Sequence, residues 1–280
     1  MKIGVTGATG QLGSLVVEQL KEKVGAENIV ALVRTPGKAE KLGVEVRKFD
    51  YNNPEELVDT LNGIDRLLLI SGSEIGQRAR QHANVVDAAK KAGINWIVYT
   101  SLLHADTSSL NLAGEHLATE KLIKESGLDY TILRNGWYTE NYTMSVGGAV
   151  GAGAFIGSAG NGKISSATRA DFAEAAAVVI ANESNKGQVY ELAGDEAYTL
   201  SDLAAEISKQ TGKNIPYNNL PESEYAAILK TFGLPELFAE AIASWDTGAS
   251  QGDLFDDSKQ LSKLTGKPTT PLAKAVEAVL

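Results

Sequence analysis

The sequence predicts an α/β fold in which a doubly wound parallel sheet is joined to a smaller, mostly helical C-terminal part. Short β-rich runs alternate with helical stretches up to about residue 141, as is typical of parallel strands with crossover helices. Three glycines, Gly7, Gly10 and Gly13, follow the first apolar run at intervals of three. The two observations predict a Rossmann-like sheet, whose ligands bind beyond the carboxyl ends of the strands.

The predicted elements follow in regular order. After an opening strand, the β-rich runs are residues 29–33, 44–49, 66–70, 96–100, 130–133 and 188–192. The helical stretches between them are residues 11–23, 54–61, 77–92 and 114–126. In the first helix, Leu12, Leu15, Val16 and Leu20 share one face, which we expect to be buried against the sheet.

The chain changes character after about residue 141. Residues 147–162 are rich in glycine and alanine and predict a mobile loop that acts as a substrate-side flap. Helices are expected to begin near Ser201, Ser223 and Pro235, with Ser201 as an N-cap. We therefore expect a Rossmann-like domain at 1–150 and a smaller substrate-side subdomain at 151–280, some of whose segments return to the sheet.

Composition narrows the class of protein. The formal charge of −9 argues against nucleic acid as the main partner, because no broad basic surface is available. There is no cysteine, and three scattered histidines predict no metal site. No apolar segment approaches membrane-spanning length and no targeting segment is recognised, so we expect a cytoplasmic protein without a membrane partner.

The glycine-rich opening predicts a pyrophosphate site formed by Gly7, Ala8, Thr9, Gly10, Gln11 and Leu12. Gly7 permits a tight turn after the strand, Gly10 lets the backbone approach the ligand, and Gly13 lets the following helix lie close to the sheet. The N–H groups at the start of that helix would then face the phosphates.

The second strand ends in Arg34, where folds that prefer NAD carry a carboxylate for the ribose hydroxyls. A guanidinium can bind a 2′-phosphate through two parallel hydrogen bonds, so NADPH is favoured and NADH remains possible. The alternative is a solvated arginine at a strand end. Ser71, Gly72 and Ser73 follow the fourth strand, and their small side chains suit the passage of an adenosine ribose, although a simple turn would look the same.

Many carbonyl-reducing short-chain dehydrogenases pair a tyrosine with a lysine four residues later, which lowers the pKa of the phenol. None of the nine tyrosines has such a lysine. At the corresponding place stand His116 and Glu120, which form either a replacement proton relay or a plain hydrogen bond along one helix face. Ser101 ends the fifth strand, where the nicotinamide is expected, although a serine at a strand end can also serve only the turn. The catalytic residue is unknown, and His116 and Tyr138 are the candidates.

Together, these motifs resemble the NmrA-like, atypical short-chain dehydrogenase/reductase family and, within it, the type-2 NAD(P)H:quinone oxidoreductases. The resemblance covers nearly the whole chain. It is carried by TGATGQLG, ALVR, LLLISGSEIGQRA, YTSLLHADTS, YTILRNGWYTENY, GKISSATRADFA, VYELAGD and LFDDSKQLSKLTGKPTTPL. Triphenylmethane-dye reductases of the same family are similar, but less so in the middle runs.

The resemblance implies that residues 7–12 hold the pyrophosphate, Arg34 the 2′-phosphate and residues 71–73 the adenosine side. It places Gly136, Trp137, Tyr138, Glu140, Asn141 and Arg169 on the nicotinamide side. Loop packing is the alternative for the two aromatic residues, and a helix cap or a surface ion pair for the arginine.

The activity implied is direct hydride transfer from NADPH to a quinone, without flavin. Reduction makes the quinone ring aromatic, and the proton can come from water, so a missing Tyr/Lys pair is expected. We expect Phe155, Tyr138 and the glycine-rich loop to cover the flat acceptor. A homodimer is possible.

Two other functions stay open. One is an NADP(H)-sensing regulator without turnover, whose C-terminal residues Phe232, Leu234, Leu237, Phe238 and Trp245 dock a partner, although amphipathic core packing explains them more simply. The other is a reductase of dyes or conjugated xenobiotics, which differs only in the shape of its pocket.

Overall fold

The computed structural model describes residues 1–280. The first half contains β1 (Ile3–Thr6), α1 (Gln11–Val24), β2 (Ile29–Val33), β3 (Glu45–Lys48), α2 (Pro54–Thr60), β4 (Arg66–Leu69), α3 (Arg78–Lys91), β5 (Trp96–Leu102), α4 (Ala113–Glu125) and β6 (Asp129–Asn135). The second half contains α5 (Glu140–Thr143), α6 (Val146–Ala152), β7 (Phe155–Gly157), α7 (Arg169–Ala181), β8 (Val189–Leu192), α8 (Leu200–Thr211), β9 (Tyr217–Asn219), α9 (Glu222–Thr231), α10 (Glu236–Ser250), α11 (Gln260–Thr265) and α12 (Leu272–Glu277).

The main sheet has seven strands in the order β3-β2-β1-β4-β5-β6-β8. The pairs from β3 through β6 are parallel. Along β6 and β8 the hydrogen bonds join residue 132 to 188 and residue 136 to 192, so these two strands also run in the same direction. The strand order reverses beside β1, and this reversal creates the crevice in which α/β folds bind ligands. The predicted doubly wound parallel sheet is confirmed.

Helices cover both faces of this sheet. On one face α1 packs against α7. On the other, α2, α3 and α4 bury an apolar cluster against the strands, with Leu57, Val85, Leu67 and Ile97 among its members. Because both faces are covered, strands β1, β4 and β5 are buried along their whole length and mostly apolar, rather than alternating between buried and exposed residues.

The chain groups into two compact units. Unit 1 comprises residues 1–106, 112–135 and 169–191 and holds most of the main sheet. Unit 2 comprises residues 107–111, 136–168 and 192–280, is mostly helical and contains the two-stranded sheet β7-β9. The domain division at residue 150 stays a prediction, which separate expression of the two pieces would test. No helix is both long and apolar enough to cross a membrane.

Three local expectations were wrong. Residues 147–162 are not a mobile loop, because α6 and β7 occupy most of them and Val146, Ala149 and Phe155 are buried. In α1 the buried face uses Val17, whereas Leu15 is 36% exposed. The N-cap of α8 is Thr199 rather than Ser201.

The α8 cap is a capping box. The Thr199 side chain accepts a hydrogen bond from the Asp202 N–H, and the Asp202 carboxylate accepts one from the Thr199 N–H. Two backbone donors at the start of the helix are thereby satisfied, which explains why the N-cap lies two residues earlier than expected.

Candidate cofactor site

The β1–α1 turn is shaped by its glycines. Gly7 has a φ of +59°, a conformation that side chains with a Cβ rarely adopt. The Gly10 N–H donates to the Gly7 carbonyl at 2.8 Å, which closes the turn. A Cβ on Gly13 would lie 2.2 Å from the Gly7 carbonyl oxygen, so α1 can lie this close to the turn only with glycine there. The predicted roles of Gly7 and Gly13 are therefore confirmed as backbone geometry.

The N-terminus of α1 can receive an anion. Its N-cap is Gly10, with no side-chain cap hydrogen bond and no acidic residue in the first turn. The first N–H groups of a helix have no acceptor within the helix, and the helix dipole favours negative charge there. Gly7, Thr9, Gly10 and Gln11 are exposed, whereas Ala8 and Leu12 are buried. We call the β1–α1 turn and the start of α1, residues 7–12, the glycine cradle. Its exposed backbone and free N–H groups fit a pyrophosphate.

Behind the turn, Tyr51 connects the ends of two neighbouring strands. Its hydroxyl oxygen lies 2.5 Å from Thr6 Oγ1 and 2.9 Å from the Ile70 carbonyl oxygen. The Ile70 N–H also donates to Thr6 Oγ1, at 2.9 Å. Burial raises the pKa of Tyr51 above its usual value, so the phenol stays neutral and acts as a hydrogen-bonding brace.

Arg34 directly follows β2, as predicted, and its side chain is 64% exposed. Its Nη1 lies 2.8 Å from Glu74 Oε1, and the Gln81 amide donates to the other Glu74 oxygen at 2.8 Å. The Glu74 carboxylate therefore already engages Nη1, one of the hydrogen-bond donors of the Arg34 guanidinium. Glu74 is not predictable as the partner of Arg34 from the sequence, because it lies forty residues further along the chain.

The segment 71–73 follows β4 and is fixed by its backbone. The Ser71 N–H donates to Thr100 Oγ1 at 2.9 Å, and the Gly72 N–H donates to His82 Nε2 at 3.0 Å. The Gly72 carbonyl accepts from Arg78 Nε at 2.6 Å. Because these bonds use main-chain atoms, they hold the loop whatever its serine side chains contact.

His82 is held neutral. Its Nε2 accepts from Gly72, so the ring proton is on Nδ1, which donates to Thr119 Oγ1 at 2.9 Å. Burial and then the charge of Arg78 lower the pKa of His82 to about 4. His82 is therefore a structural acceptor beneath the loop rather than a proton donor.

His116 and Glu120 do not bond one another, so the predicted link along the helix face is wrong. His116 Nδ1 lies 2.8 Å from the Tyr99 hydroxyl, and burial, followed by the charges of Arg78 and His82, lowers the pKa of His116 to about 3. The ring is 4% exposed and neutral. A catalytic role for His116 stays a prediction, and near neutral pH the ring is the neutral imidazole, which has no acidic proton to donate.

Glu120 instead belongs to a buried cluster of charges in unit 1. Arg134 binds it through two parallel hydrogen bonds, both 2.9 Å long, and the Ser101 hydroxyl donates to Glu120 at 2.7 Å. The second side of Arg134 reaches Glu191 at 2.8 Å and Asp106 at 3.0 Å. Hydrogen bonding to Glu120 raises the pKa of Arg134 above its usual value. The cluster is not evident from the sequence, because the partners of Arg134 lie 14, 28 and 57 residues away along the chain.

The predicted nicotinamide segment, residues 136–141, lies in unit 2 and begins directly after β6. Tyr138 pairs with Ala167 in an isolated parallel bridge, with Thr139 donating to the Ala167 carbonyl at 2.9 Å. Gly136 and Trp137 are buried, whereas Tyr138, Glu140 and Asn141 are partly exposed. Arg169 is the first residue of α7 in unit 1 and is partly exposed.

Phe155 departs from its predicted place over a flat acceptor. It lies in β7, is 3% exposed and belongs to the core of unit 2. No group of three or more His, Cys, Asp or Glu side chains has the arrangement to hold a metal ion.

The fold and the glycine cradle define a dinucleotide-binding α/β protein. Comparison with known sequences agrees, and the chain belongs to the NAD(P)H-binding family, whose profile matches residues 7–183. It is 58% identical over 277 residues to Quinone oxidoreductase 2 of Escherichia coli (strain K12), an alignment that covers 98% of this chain and 97% of that protein.

Solved structures extend this comparison. The chain superimposes on an E. coli NADPH-dependent quinone oxidoreductase in complex with NADPH, with a TM-score of 0.97, 57% identity and 99% of each chain covered. It also superimposes on the Citrobacter triphenylmethane reductase in complex with NADP(H), with a TM-score of 0.97, 40% identity and 100% of each chain covered. The resemblance drawn from the motifs is confirmed.

Proposed function

We propose that this chain reduces quinones with NADPH, by direct hydride transfer and without flavin. The observation that carries the proposal is its 58% identity, over nearly the whole of both chains, to a protein named for quinone reduction. The glycine cradle of the β1–α1 turn supports it independently, because a side chain on Gly13 would collide with the Gly7 carbonyl.

The predicted site residues would hold the cofactor. We propose that residues 7–12 bind the pyrophosphate, Arg34 the 2′-phosphate and residues 71–73 the adenosine side. Residues 136–138, Glu140, Asn141 and Arg169 would contact the nicotinamide side. NADPH supplies a hydride when bound, and the quinone gains a proton and an aromatic ring on reduction.

The main contribution of the chain would then be to hold the quinone against the nicotinamide and to exclude water from the site of hydride transfer. The two polar groups that the sequence predicts near the reaction, His116 and Ser101, are poor proton donors, because His116 is neutral and the Ser101 hydroxyl already donates to Glu120. A proton taken from water suits this environment, since a hydroquinone oxyanion is far less basic than the alkoxide formed from a ketone.

Anaerobic oxidation of NADPH by the purified, flavin-free chain tests the proposal. The acceptors are 1,4-benzoquinone and a naphthoquinone, and loss of nicotinamide absorbance is compared with an enzyme-free blank. We expect turnover with both. Tight NADPH binding without turnover would overturn the proposal and favour an NADP(H)-sensing role.

Cofactor preference is tested by Arg34→Ala, with Lys91→Ala as the control, since Lys91 is an exposed cation at the C-terminal end of α3. Loss of charge-assisted hydrogen bonds to a phosphate is expected to raise the Kd for NADPH by about tenfold or more. The Kd for NADH should change less than about twofold for either variant. Equal losses for both cofactors would contradict the phosphate assignment.

Dye reduction is the second candidate, favoured by the 40% identity to the triphenylmethane reductase along the full length. A triphenylmethane dye belongs in the same assay. The cytoplasmic location and a homodimer are further proposals, the first resting on the acidic, cysteine-free composition and the second to be tested by light scattering.

A further inference from the structure

Helices α9 and α10 of unit 2 form a hairpin whose turn exposes apolar side chains. Phe232 is 67% exposed, Leu237 82% and Phe238 47%. We call these three residues the hairpin tip. The interpretation of these residues as amphipathic core packing is therefore wrong. The buried face of α10 is instead formed by Ala239, Ala243 and Asp246. Contiguous exposed apolar side chains on a folded protein commonly mark a binding surface.

From the tip, a row of aromatic rings leads inward through unit 2. The Phe238 ring lies 6.1 Å from the Trp245 ring at an interplanar angle of 79°. The ring centroids of Trp245 and Trp137 lie 5.4 Å apart, and the interplanar angle is 68°. Both are edge-to-face contacts, which aromatic rings prefer. We call Trp137, Trp245 and Phe238 the aromatic row.

The middle ring is held in place. Trp245 Nε1 donates to Asn111 Oδ1 at 2.9 Å, which satisfies the one polar group of that side chain. One turn further along α10, a Cβ on Gly248 would lie 2.5 Å from the Leu110 side chain, so α10 and the segment 107–111 are closely packed. Exposure falls along the row from 47% at Phe238 to 9% at Trp137, and Trp137 belongs to the predicted nicotinamide segment.

Charge around the tip selects the kind of ligand. Lys230 is the one basic residue between positions 222 and 250, and its ammonium lies 3.0 Å from Glu236 and 3.9 Å from Glu240. Because this cation is already paired with carboxylates, the tip disfavours anions. The rings and the leucine offer dispersion contacts and apolar area instead, which suit a neutral, apolar molecule.

We propose that the aromatic row and the hairpin tip bind the apolar part of the electron acceptor, so that the chain selects quinones with an apolar side chain over unsubstituted benzoquinone. This inference rests on the proposed quinone reduction and deepens it. The hairpin tip would contact the side chain, and Trp137 would contact the part next to the ring.

The test compares unsubstituted benzoquinone with a decyl-substituted benzoquinone at saturating NADPH, for the parent chain and for Phe238→Ala. Val279→Ala is the control, since Val279 is 44% exposed, apolar and in the C-terminal segment beyond α12. The kinetic constants of each variant are compared with those of the parent chain for the same acceptor, which cancels the different intrinsic reactivity of the two quinones.

We expect Phe238→Ala to raise the KM for the decyl quinone by about fivefold or more, with kcat unchanged, because the side chain makes the same contact before and during hydride transfer. In the same variant, the KM for unsubstituted benzoquinone should change less than about twofold. Val279→Ala should leave the KM for both quinones unchanged. Trp245→Phe should retain more of the affinity for the decyl quinone than Trp245→Ala, because it keeps a ring in the row.

Equal effects of Phe238→Ala on both acceptors, or no effect on either, would overturn the inference while leaving quinone reduction standing. No turnover of either quinone by the parent chain would instead mean that the proposed function itself fails. Phe238 is half exposed, so its truncation leaves the core of unit 2 intact and these outcomes can be distinguished.

Discussion

Glu74 forms an ion pair with Arg34, the residue proposed to bind the 2′-phosphate. The ion pair between them is largely exposed, with 64% and 42% of the two side chains accessible, so it contributes little to stability. A carboxylate 2.8 Å from the guanidinium nevertheless competes with any anion that approaches the same nitrogen, and repels it. If Arg34 binds the 2′-phosphate as proposed, the two side chains act on the affinity for that phosphate in opposite directions.

Glu74→Gln should strengthen NADPH binding. The substitution keeps the size of the side chain and its contact with the Gln81 region but removes the negative charge. We expect the Kd for NADPH to fall by roughly threefold at low salt, less at higher ionic strength, and the Kd for NADH to stay unchanged. Isothermal titration calorimetry with each cofactor measures both.

Glu56→Gln is the matched control, because Glu56 also pairs with an exposed cation, Lys48, at 3.2 Å. It should change neither affinity. If Glu74→Gln weakened NADPH binding, the carboxylate would be holding Arg34 in its binding position rather than competing for it.

Single residues were predictable where one local rule fixes them. Arg34 follows from the end of a strand, and Gly7 and Gly13 from the turn they must allow. Glu74 and the Arg134–Glu120 pair were not predictable, because their partners are distant in sequence and meet only after the sheet has formed.

At the scale of elements, two glycine positions have opposite structural requirements. Gly13 is in α1, where an added Cβ would lie 2.2 Å from the Gly7 carbonyl oxygen. Gly148 is in α6, where an added Cβ would have nothing within 4 Å. A glycine within a helix costs about 0.5–1 kcal/mol of stability relative to alanine. Glycine is structurally required at position 13, where a Cβ has no room, but not at position 148.

Gly13→Ala should therefore destabilise the chain by about 2 kcal/mol or more and weaken NADPH binding, because the turn must move away from α1. Gly148→Ala should stabilise it by up to about 1 kcal/mol and leave binding unchanged. Urea unfolding followed by circular dichroism measures both free energies. Similar effects of the two variants would show that the close approach of α1 to the turn does not constrain residue 13.

The same contrast explains which elements were predictable. Most strands and helices of unit 1 follow from apolar runs and helical periodicity, because β1, β2, β4 and β5 are buried at every position and α1 and α3 each extend over 14 residues. Residues 147–162 were predicted as a loop from their glycine content. They instead form α6 and β7, because Val146, Ala149 and Phe155 are buried in unit 2, and this packing outweighs the low helix propensity of glycine.

At the scale of the whole molecule, buried titratable groups set the pH of greatest stability, and two of them act in the same direction. His82 and His116 are neutral in the fold, with pKa values lowered by burial to about 4 and about 3 from an ordinary 6.5. A lowered histidine pKa means that unfolding takes up protons as the pH falls below 6.5. The stability that the two rings contribute is complete above that pH and is lost progressively below it.

Asp246 acts in the opposite direction. It accepts hydrogen bonds from the Ser158 N–H at 2.9 Å and from the Tyr142 hydroxyl at 3.1 Å, with no cation among these partners. Burial raises its pKa from 3.8 to about 6, against the lowering effect of those two hydrogen bonds. The fold therefore favours the protonated acid, and the stability it contributes is present below pH 3.8 and lost as the pH rises to about 6.

These opposing effects predict the pH profile of unfolding. Between pH 7 and pH 5 each histidine should cost about 2 kcal/mol, and Asp246 should return about 1 kcal/mol, so the free energy of unfolding should fall by roughly 3 kcal/mol. His116→Asn, whose amide can still reach the Tyr99 hydroxyl, should reduce that fall by about 2 kcal/mol whatever its effect at pH 7. Asp246→Asn should raise stability at pH 8, hardly change it at pH 4, and make the fall between pH 7 and pH 5 steeper. Urea titrations at four pH values measure these slopes, and a slope that both variants left unchanged would show that other groups control the acid stability of the molecule.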